Sequence, residues 1–150
     1  MYINMQYNIL IRPALSQDAR DINLLTEQLG YKNSLSETTF FLDIIQKDAD
    51  HAVFVAVLDG ELVGWIEVAF LTRLESGSFC EIVGLIVNER YRRIGAGKLL
   101  MDSALKWSGE KNSKKIRVRC NVKRQDTHSF YEHAGFTIAK EQKVFDLKIG

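Results

Sequence analysis

Residues 79–100 read FCEIVGLIVNERYRRIGAGKLL and carry the strongest structural signals in the chain. Its first part, residues 79–87, is an apolar run rich in β-branched residues, which is typical of a buried strand. Its last part places Gly95 and Gly97 directly before apolar residues spaced three and four apart, which predicts a turn that opens a helix. The stretch therefore predicts a strand, a glycine-bearing turn and a helix in direct succession.

The predicted turn has the features of an anion-binding site. The first N–H groups of an α-helix have no intrahelical acceptor and lie at the positive end of the helix dipole. Gly95 and Gly97 lack a Cβ atom, so the main chain can approach a ligand closely there. Arg92, Arg93 and Lys98 add positive charge that can pair with phosphate oxygens. The turn is therefore a candidate phosphate site.

Two familiar phosphate motifs do not match this turn. A P-loop needs Ser or Thr after its lysine, and Leu99 stands at that position. A dinucleotide fingerprint needs a third glycine, and Leu100 stands there instead. Because glycine and arginine are also common in solvated turns, an ordinary surface turn stays an alternative on these residues alone.

The sequence on both sides of this stretch predicts an α/β fold. The predicted elements are strand 7–12, a helix capped by Ser16 or Asp18 and ended by Gly30, a helix opened by Ser36, strands 52–58, 62–70 and 79–87, a helix through 99–107, strand 116–122, a short helix at 130–134 and a strand pair within 136–149. A helix joins 79–87 to 116–122, so these strands should run parallel, with a ligand beyond the carboxyl end of the first. We expect a mixed, mostly antiparallel α/β (α+β) sheet of six to seven strands flanked by about four helices, forming a single domain over residues 1–150.

Composition and charge exclude several classes of protein. The formal net charge is +1 over 150 residues, so no general field would recruit nucleic acid or an anionic membrane. The two cysteines, Cys80 and Cys120, lie on apolar strands and are expected to be reduced core residues, which favours a cytoplasmic location. His51, His128 and His133 lack the spacing of metal ligands, so we expect no metal. We expect no secretion signal and no membrane span in this sequence.

Two blocks of the chain together resemble the GNAT superfamily of N-acetyltransferases. Residues 80–87 and 91–100 look like its acetyl-CoA-binding segment, and Asn121 with FYEHAGF at 130–136 resembles its downstream element. The other elements occur in the order usual for that family, so the resemblance covers nearly the whole chain. It implies an acetyl-CoA-dependent acyltransferase that acts on an amine.

The resemblance also implies which residues would bind acetyl-CoA. The main-chain amides of residues 93–98 would hold the pyrophosphate, and the main chain of residues 85–87 would hold the pantetheine arm and the acetyl oxygen. Asn121 would bind the same arm, and His128 would lie close to the coenzyme. The full set of expected coenzyme-binding residues is Leu85, Ile86, Val87, Arg92, Arg93, Ile94, Gly95, Ala96, Gly97, Lys98, Asn121, His128 and Tyr131.

Two residues are candidates for the proton transfers. Glu81 interrupts an apolar strand, and as a general base it could take a proton from the attacking amine through a water molecule. Its alternative role is that of a solvated glutamate that protects a sheet edge. Tyr131 resembles the tyrosine that protonates the coenzyme thiolate in many members of the family. Its alternative role is packing against Phe130 and Phe136.

The acceptor and the assembly are less strongly patterned. The link 30–35 and the loop 71–78, with Tyr31, Trp65 and Glu75, are expected to bind a small-molecule primary amine of aminoglycoside-like, polyamine or amino-acid type. A peptide or protein acceptor, a non-catalytic acyl-CoA sensor and RNA binding through residues 114–119 stay as alternatives. Apolar residues at 144–149 could pair between subunits of a homodimer.

Overall fold

The computed structural model describes residues 3–4, 7–120 and 125–150. Six strands and four helices follow the chain: β1 (Ile3–Asn4), β2 (Ile9–Pro13), α1 (Ala19–Glu27), α2 (Leu35–Gln46), β3 (His51–Leu58), β4 (Glu61–Arg73), β5 (Gly77–Val87), α3 (Ala96–Glu110), β6 (Ile116–Val118) and α4 (Gln125–His133). By its internal contacts the chain divides into two compact units, Met1–Val118 and Arg119–Gly150. A single domain over the whole chain therefore stays a prediction.

One mixed sheet holds the first unit together. Its strands lie in chain order, with antiparallel pairing from β1 to β5 and parallel pairing of β6 with β5, as the joining helix predicts. The β3–β4 hairpin turns at Asp59 and Gly60, whose φ angles of 48° and 84° are the positive values that such a turn requires. Because β1 has only two residues, the sheet has five strands of ordinary length, and the prediction of six to seven is wrong.

The missing strands are those predicted within residues 136–149. The structure has no strand there, and Phe145, Leu147 and Ile149 are 87%, 86% and 91% exposed. Their alternation with polar residues favours an extended chain locally, but a strand also needs a neighbouring main chain to accept and donate its hydrogen bonds. The described part of the chain supplies no such neighbour for residues 136–149, so the prediction of strands there is wrong.

The boundaries of α2, α4 and β6 differ from the predictions. Helix α2 is capped by Ser34 rather than Ser36, because the Ser34 hydroxyl accepts from the Glu37 N–H (3.1 Å) while the Glu37 carboxylate accepts from the Ser34 N–H (2.9 Å). Helix α4 begins at Gln125, five residues before the predicted start. Strand β6 ends at Val118, whereas the prediction extended it to residue 122.

The two faces of the sheet are covered by different helices. Ile22 and Leu25 of α1 and Leu42 of α2 pack with Val55 and Ile86 in one buried cluster, which defines the α1/α2 face. Gly64 of β4 pairs with Ala56, the residue after Val55 on β3, so it faces the opposite side of the sheet. A Cβ atom added at Gly64 would lie 3.2 Å from Cδ1 of Leu100, so α3 packs closely on this second face.

A buried ion pair joins β2 to the start of α1. Arg12 donates to both carboxylate oxygens of Asp18, at 2.7 and 2.9 Å, and the Leu15 N–H donates to the same carboxylate at 2.7 Å. The hydrogen bonds from Arg12 hold the pKa of Asp18 below its ordinary value. The ionised carboxylate is therefore the form that stabilises the fold.

We expect Asp18→Asn to lower the free energy of unfolding at pH 7 by about 2 kcal/mol, because hydrogen bonds to a buried charge are lost. Since the folded pKa is depressed, the contribution is present above the unfolded value near 3.9 and is lost as the pH falls through the folded value. Urea unfolding of both proteins from pH 7 to pH 2 checks this. Asp43→Asn, which removes an exposed ion pair with Lys47, should cost less than about 1 kcal/mol, and equal losses for the two variants would contradict the prediction.

Candidate functional site

The turn after β5 has an unusual backbone. Arg93 has φ 66° and Gly95 has φ 95°, so two nearby residues lie in the left-handed region before α3 begins at Ala96. The strand end is fixed by the Asn88 N–H, which donates to the carbonyl of Val63 at 2.7 Å. Gly95 has no Cβ atom and adopts this φ without strain, whereas an L residue with a Cβ atom would be strained at this position.

The N-terminus of α3 presents unpaired amides. The first bond within the helix runs from the Leu99 N–H to the Gly95 carbonyl at 3.0 Å, so the N–H groups of Ala96, Gly97 and Lys98 have no intrahelical acceptor. No acidic residue lies in this first turn, and no side chain caps it. The Lys98 ammonium group pairs with Asp102 at 3.0 Å. The helix end therefore offers three amides and a positive dipole end to an anion.

The edge of β5 that faces β6 is open near this turn. β6 pairs with β5 only at Cys80, Glu81 and Ile82. Among the described residues, no strand pairs with residues 83–87 on this side. An open strand edge can bind an extended ligand through main-chain hydrogen bonds, as an added strand would.

A β-bulge interrupts the pairing of β4 with β5 beside the open edge. Glu67 lies opposite Gly84, but the next residue, Val68, lies opposite Ile82, so Val83 is the extra residue. The bulge reverses the facing of β5, and Ile82 points away from the α1/α2 face that Ile86 occupies. Cys80 is fully buried, as expected for a core residue. Bulges of this kind are common next to active sites.

Glu81 lies inside the sheet rather than at its edge. Its register partners are Ala69 on β4 and Arg117 on β6, and its side chain is half-buried on the α1/α2 face. The alternative role of protecting a sheet edge therefore does not fit the described sheet. The guanidinium group of Arg117 lies 4.6 Å from the ring centre of the buried Phe79, so a cation lies on the strand next to Glu81.

Trp65 lies on the same face, over the bulge. A Cβ atom added at Gly84 would lie 2.9 Å from two carbons of the Trp65 ring, so this position must stay free of a side chain. The ring also packs against the buried cluster of α1 and α2. Its indole N–H is buried and makes no hydrogen bond within the described part of the chain.

His51 and Glu67 form a close pair that the sequence analysis did not identify. The His51 Nε2 atom lies 2.5 Å from Oε2 of Glu67, and the two side chains are only 21% and 18% exposed. The hydrogen bond to Glu67 raises the pKa of His51, and the charge of Asp48 acts in the same direction. A glutamate within the apolar run of β4 was the available signal, but only the register of β3 and β4 brings His51 to it.

Tyr131 and His128 lie in the second unit. The Tyr131 ring is buried in edge-on contact with Phe130 and Phe136, whose centres lie 5.4 and 5.7 Å away. His128 is half-buried on the same helix, α4. Asn121 lies outside the described residues. The proximity of these three residues to Glu81 or to the α3 turn stays a prediction.

The predicted acceptor loops are only partly loops. Pairing of β4 with β5 continues to Arg73 and Gly77, so the predicted loop 71–78 is reduced to a turn at 74–76. Glu75 is exposed in this turn, and Tyr31 is 62% exposed in the link between α1 and α2. Trp65 lies in the sheet beside Glu67. The site residues that the structure brings together are thus Trp65, Glu67 and Glu81 on one face of the sheet.

The family of the chain follows from a match over most of its length. A model of the acetyltransferase (GNAT) family matches residues 17–136, which include the sheet from β3 to β6, the α3 turn and α4. The chain belongs to the GNAT family. The resemblance that the two sequence blocks indicated is therefore confirmed.

Individual relatives agree with this assignment. An N-alpha-acetyltransferase of Sulfurisphaera tokodaii is 31% identical over 117 residues, which are 70% of this chain but only 65% of that protein. A transcriptional regulator from Bacillus halodurans C-125 superposes with a TM-score of 0.84 at 22% identity, over 93% of this chain and 100% of the other. An aminoglycoside 6′-N-acetyltransferase from Acinetobacter baumannii gives 0.84 at 17% identity, over 95% of this chain and 100% of the other. The solved structures support the GNAT fold.

The described residues of this GNAT chain form neither a metal-binding cluster nor a membrane-spanning helix. Across residues 3–4, 7–120 and 125–150, no three His, Cys, Asp or Glu side chains are grouped so that they could hold a metal ion. None of the helices in the same ranges combines the length and the apolar character that crossing a membrane requires.

Proposed function

We propose that this chain transfers an acetyl group from acetyl-CoA to a primary amine of a small molecule. The observation that carries the proposal is a pair of features, namely the open edge of β5 beside the bulge and the three amides at the start of α3 that have no intrahelical acceptor. Acetyl-CoA supplies an activated acyl group, and its diphosphate and its amide-bearing pantetheine arm match these two features in charge and hydrogen bonding.

The residues of the turn fit a diphosphate. Its first helical turn has no carboxylate that would repel the ligand, and Arg92 and Arg93 are exposed beside it. Gly95 and Gly97 leave the amides uncovered. The expected binding residues from Arg92 to Lys98 and from Leu85 to Val87 therefore stay our proposal, together with Asn121, His128 and Tyr131 from the family resemblance.

In the proposed reaction, the amine nitrogen attacks the thioester carbonyl carbon, a C–N bond forms and the C–S bond breaks. Glu81 accepts the proton that the amine loses, directly or through water, and Tyr131 donates a proton to the departing sulfur. The half-buried position of Glu81 on the α1/α2 face, beside the bulge, supports its role as the base.

A small-molecule acceptor is supported by the aminoglycoside acetyltransferase among the structural neighbours. The name of the Sulfurisphaera relative favours a second candidate, acetylation of a peptide or protein N-terminal amine. The transcriptional regulator from Bacillus halodurans among the structural neighbours favours a third candidate, a non-catalytic acyl-CoA sensor. A homodimer and a cytoplasmic location stay predictions from the sequence.

An amine panel tests the proposal. Purified protein is incubated with acetyl-CoA and with aminoglycosides, polyamines, amino acids and short peptides, and release of the free coenzyme thiol is followed. We expect turnover with at least one small amine. Turnover with peptides alone would favour the second candidate. Thermal stabilisation by acetyl-CoA without thiol release from any acceptor would favour the sensor.

We expect Tyr131→Phe to lower kcat about tenfold or more, because the ring packing is kept while the proton donor is lost. Steady-state release of the coenzyme thiol at saturating acetyl-CoA measures this. Phe keeps the ring contacts with Phe130 and Phe136, and a thermal melt of both proteins measures any change in stability separately from kcat. An unchanged kcat would assign Tyr131 a packing role only.

A further inference from the structure

A second carboxylate lies near Glu81 on the α1/α2 face. Glu67 precedes Ala69 by two residues on β4, and Ala69 lies directly opposite Glu81. Glu67 is therefore a diagonal neighbour of Glu81 across the bulge, and diagonal neighbours in a regular antiparallel pair lie about 7–8 Å apart. Two carboxylates at this separation can bind two different cationic groups of one ligand.

On the neighbouring strand, the residue opposite Glu67 has no side chain. Its register partner on β5 is Gly84, which has no side chain. The ring of Trp65 covers Gly84 instead, so an apolar wall lies beside Glu67. An apolar wall with two acids suits the methylene chain and the ammonium groups of a polyamine or a similar ligand.

His51 holds the Glu67 carboxylate in place through Oε2, at 2.5 Å. Within the described residues, Oε1 of Glu67 has no hydrogen-bond partner, so it stays available as an acceptor. A carboxylate fixed by one oxygen and open at the other is suited to bind an ammonium group in a defined direction. A purely structural pair would only tie β3 to β4.

We propose that Glu67, positioned by His51, determines acceptor specificity by binding a second cationic group of the amine while the reacting amine lies at Glu81. This inference rests on the proposed acetyltransferase function. It narrows the acceptor to compounds with two cationic groups a few bonds apart, such as diamines and amino sugars with several ammonium groups.

The test compares two acceptors of similar length, 1,4-diaminobutane and n-butylamine, at saturating acetyl-CoA. The wild-type protein should have a kcat/KM at least tenfold higher for the diamine. Glu67→Gln, which keeps the shape and removes the charge, should raise KM for the diamine about tenfold with little change in kcat. It should leave kcat/KM for the monoamine nearly unchanged.

Matched variants separate specificity from structure. Asp59→Asn removes an exposed carboxylate from the β3–β4 turn and should leave the diamine preference intact. His51→Ala should weaken the preference, and His51→Gln, which can still donate to Glu67, should largely restore it. Equal losses in kcat for both acceptors in Glu67→Gln would assign a structural role to the pair and overturn the inference.

The wild-type protein alone gives a second check that does not depend on a variant folding. If it acetylates both acceptors with equal kcat/KM, the specificity inference is wrong while the acetyltransferase proposal stands. If it acetylates neither these acceptors nor any other small amine, the proposed function itself fails.

Discussion

Replacing Gly97 by Asp is expected to weaken acetyl-CoA binding at least a hundredfold without destabilising the fold. Gly97 is the second residue of α3, and its N–H is one of the three that have no intrahelical acceptor. A carboxylate there would face the diphosphate, and two unit charges about 4 Å apart near a protein surface interact by about 4 kcal/mol. The same carboxylate favours the helix by about 0.3–1 kcal/mol through the dipole, and Gly97 has no positive φ angle that would strain an L residue.

Calorimetric titration with acetyl-CoA and a thermal melt of the free protein measure the two effects separately. Ser36→Asp is the matched control, because Ser36 is the second residue of α2 and is exposed. It should leave the dissociation constant for acetyl-CoA unchanged. Tight binding of acetyl-CoA by the Gly97→Asp variant would show that the diphosphate lies elsewhere.

The second large effect is expected at Glu81. Glu81→Gln should lower kcat about a hundredfold or more near pH 7, as the loss of a general base does. The loss should shrink towards pH 10, because alkyl amines have a pKa near 10.4 and a much larger fraction of them is deprotonated in solution at pH 10 than at pH 7. Gln keeps the volume of the side chain on the α1/α2 face, and a thermal melt of both proteins separates a loss of stability from the loss of a base.

The pH dependence of kcat distinguishes a base from a packing residue. Wild type and Glu81→Gln are compared from pH 6 to pH 10 by release of the coenzyme thiol, with Asp59→Asn as a carboxylate control in the exposed β3–β4 turn. A constant ratio of kcat between wild type and Glu81→Gln across this range would remove the base assignment. An unchanged kcat at pH 7 would do the same.

The elements that the sequence predicted well are those with strong local signals. Asp59 and Gly60 between two β-branched runs predicted the β3–β4 hairpin, and Gly95 before a helical periodicity predicted the start of α3. The parallel pairing of β5 with β6 followed from the helix that joins them. These features depend on backbone conformations and connection rules that can be recognised in a short stretch of sequence.

The features that sequence reasoning missed depend on which strands lie next to each other. Val83 has nothing unusual in its side chain, and only its position against Glu67 and Val68 makes it a bulge residue. His51 and Glu67 are sixteen residues apart, and the β3–β4 register alone makes them a pair. The apolar alternation at residues 145–149 predicted a strand that has no partner in the described chain. In each case the local pattern was compatible with more than one tertiary environment.

We propose that the amides at the start of α3 bind the diphosphate of acetyl-CoA. A crystal structure of the protein with acetyl-CoA bound is the decisive test. We expect phosphate oxygens about 3 Å from the main-chain nitrogens of Ala96, Gly97 and Lys98, with the pantetheine arm along residues 85–87 of β5. A coenzyme bound at another place, with this turn empty, would contradict the account.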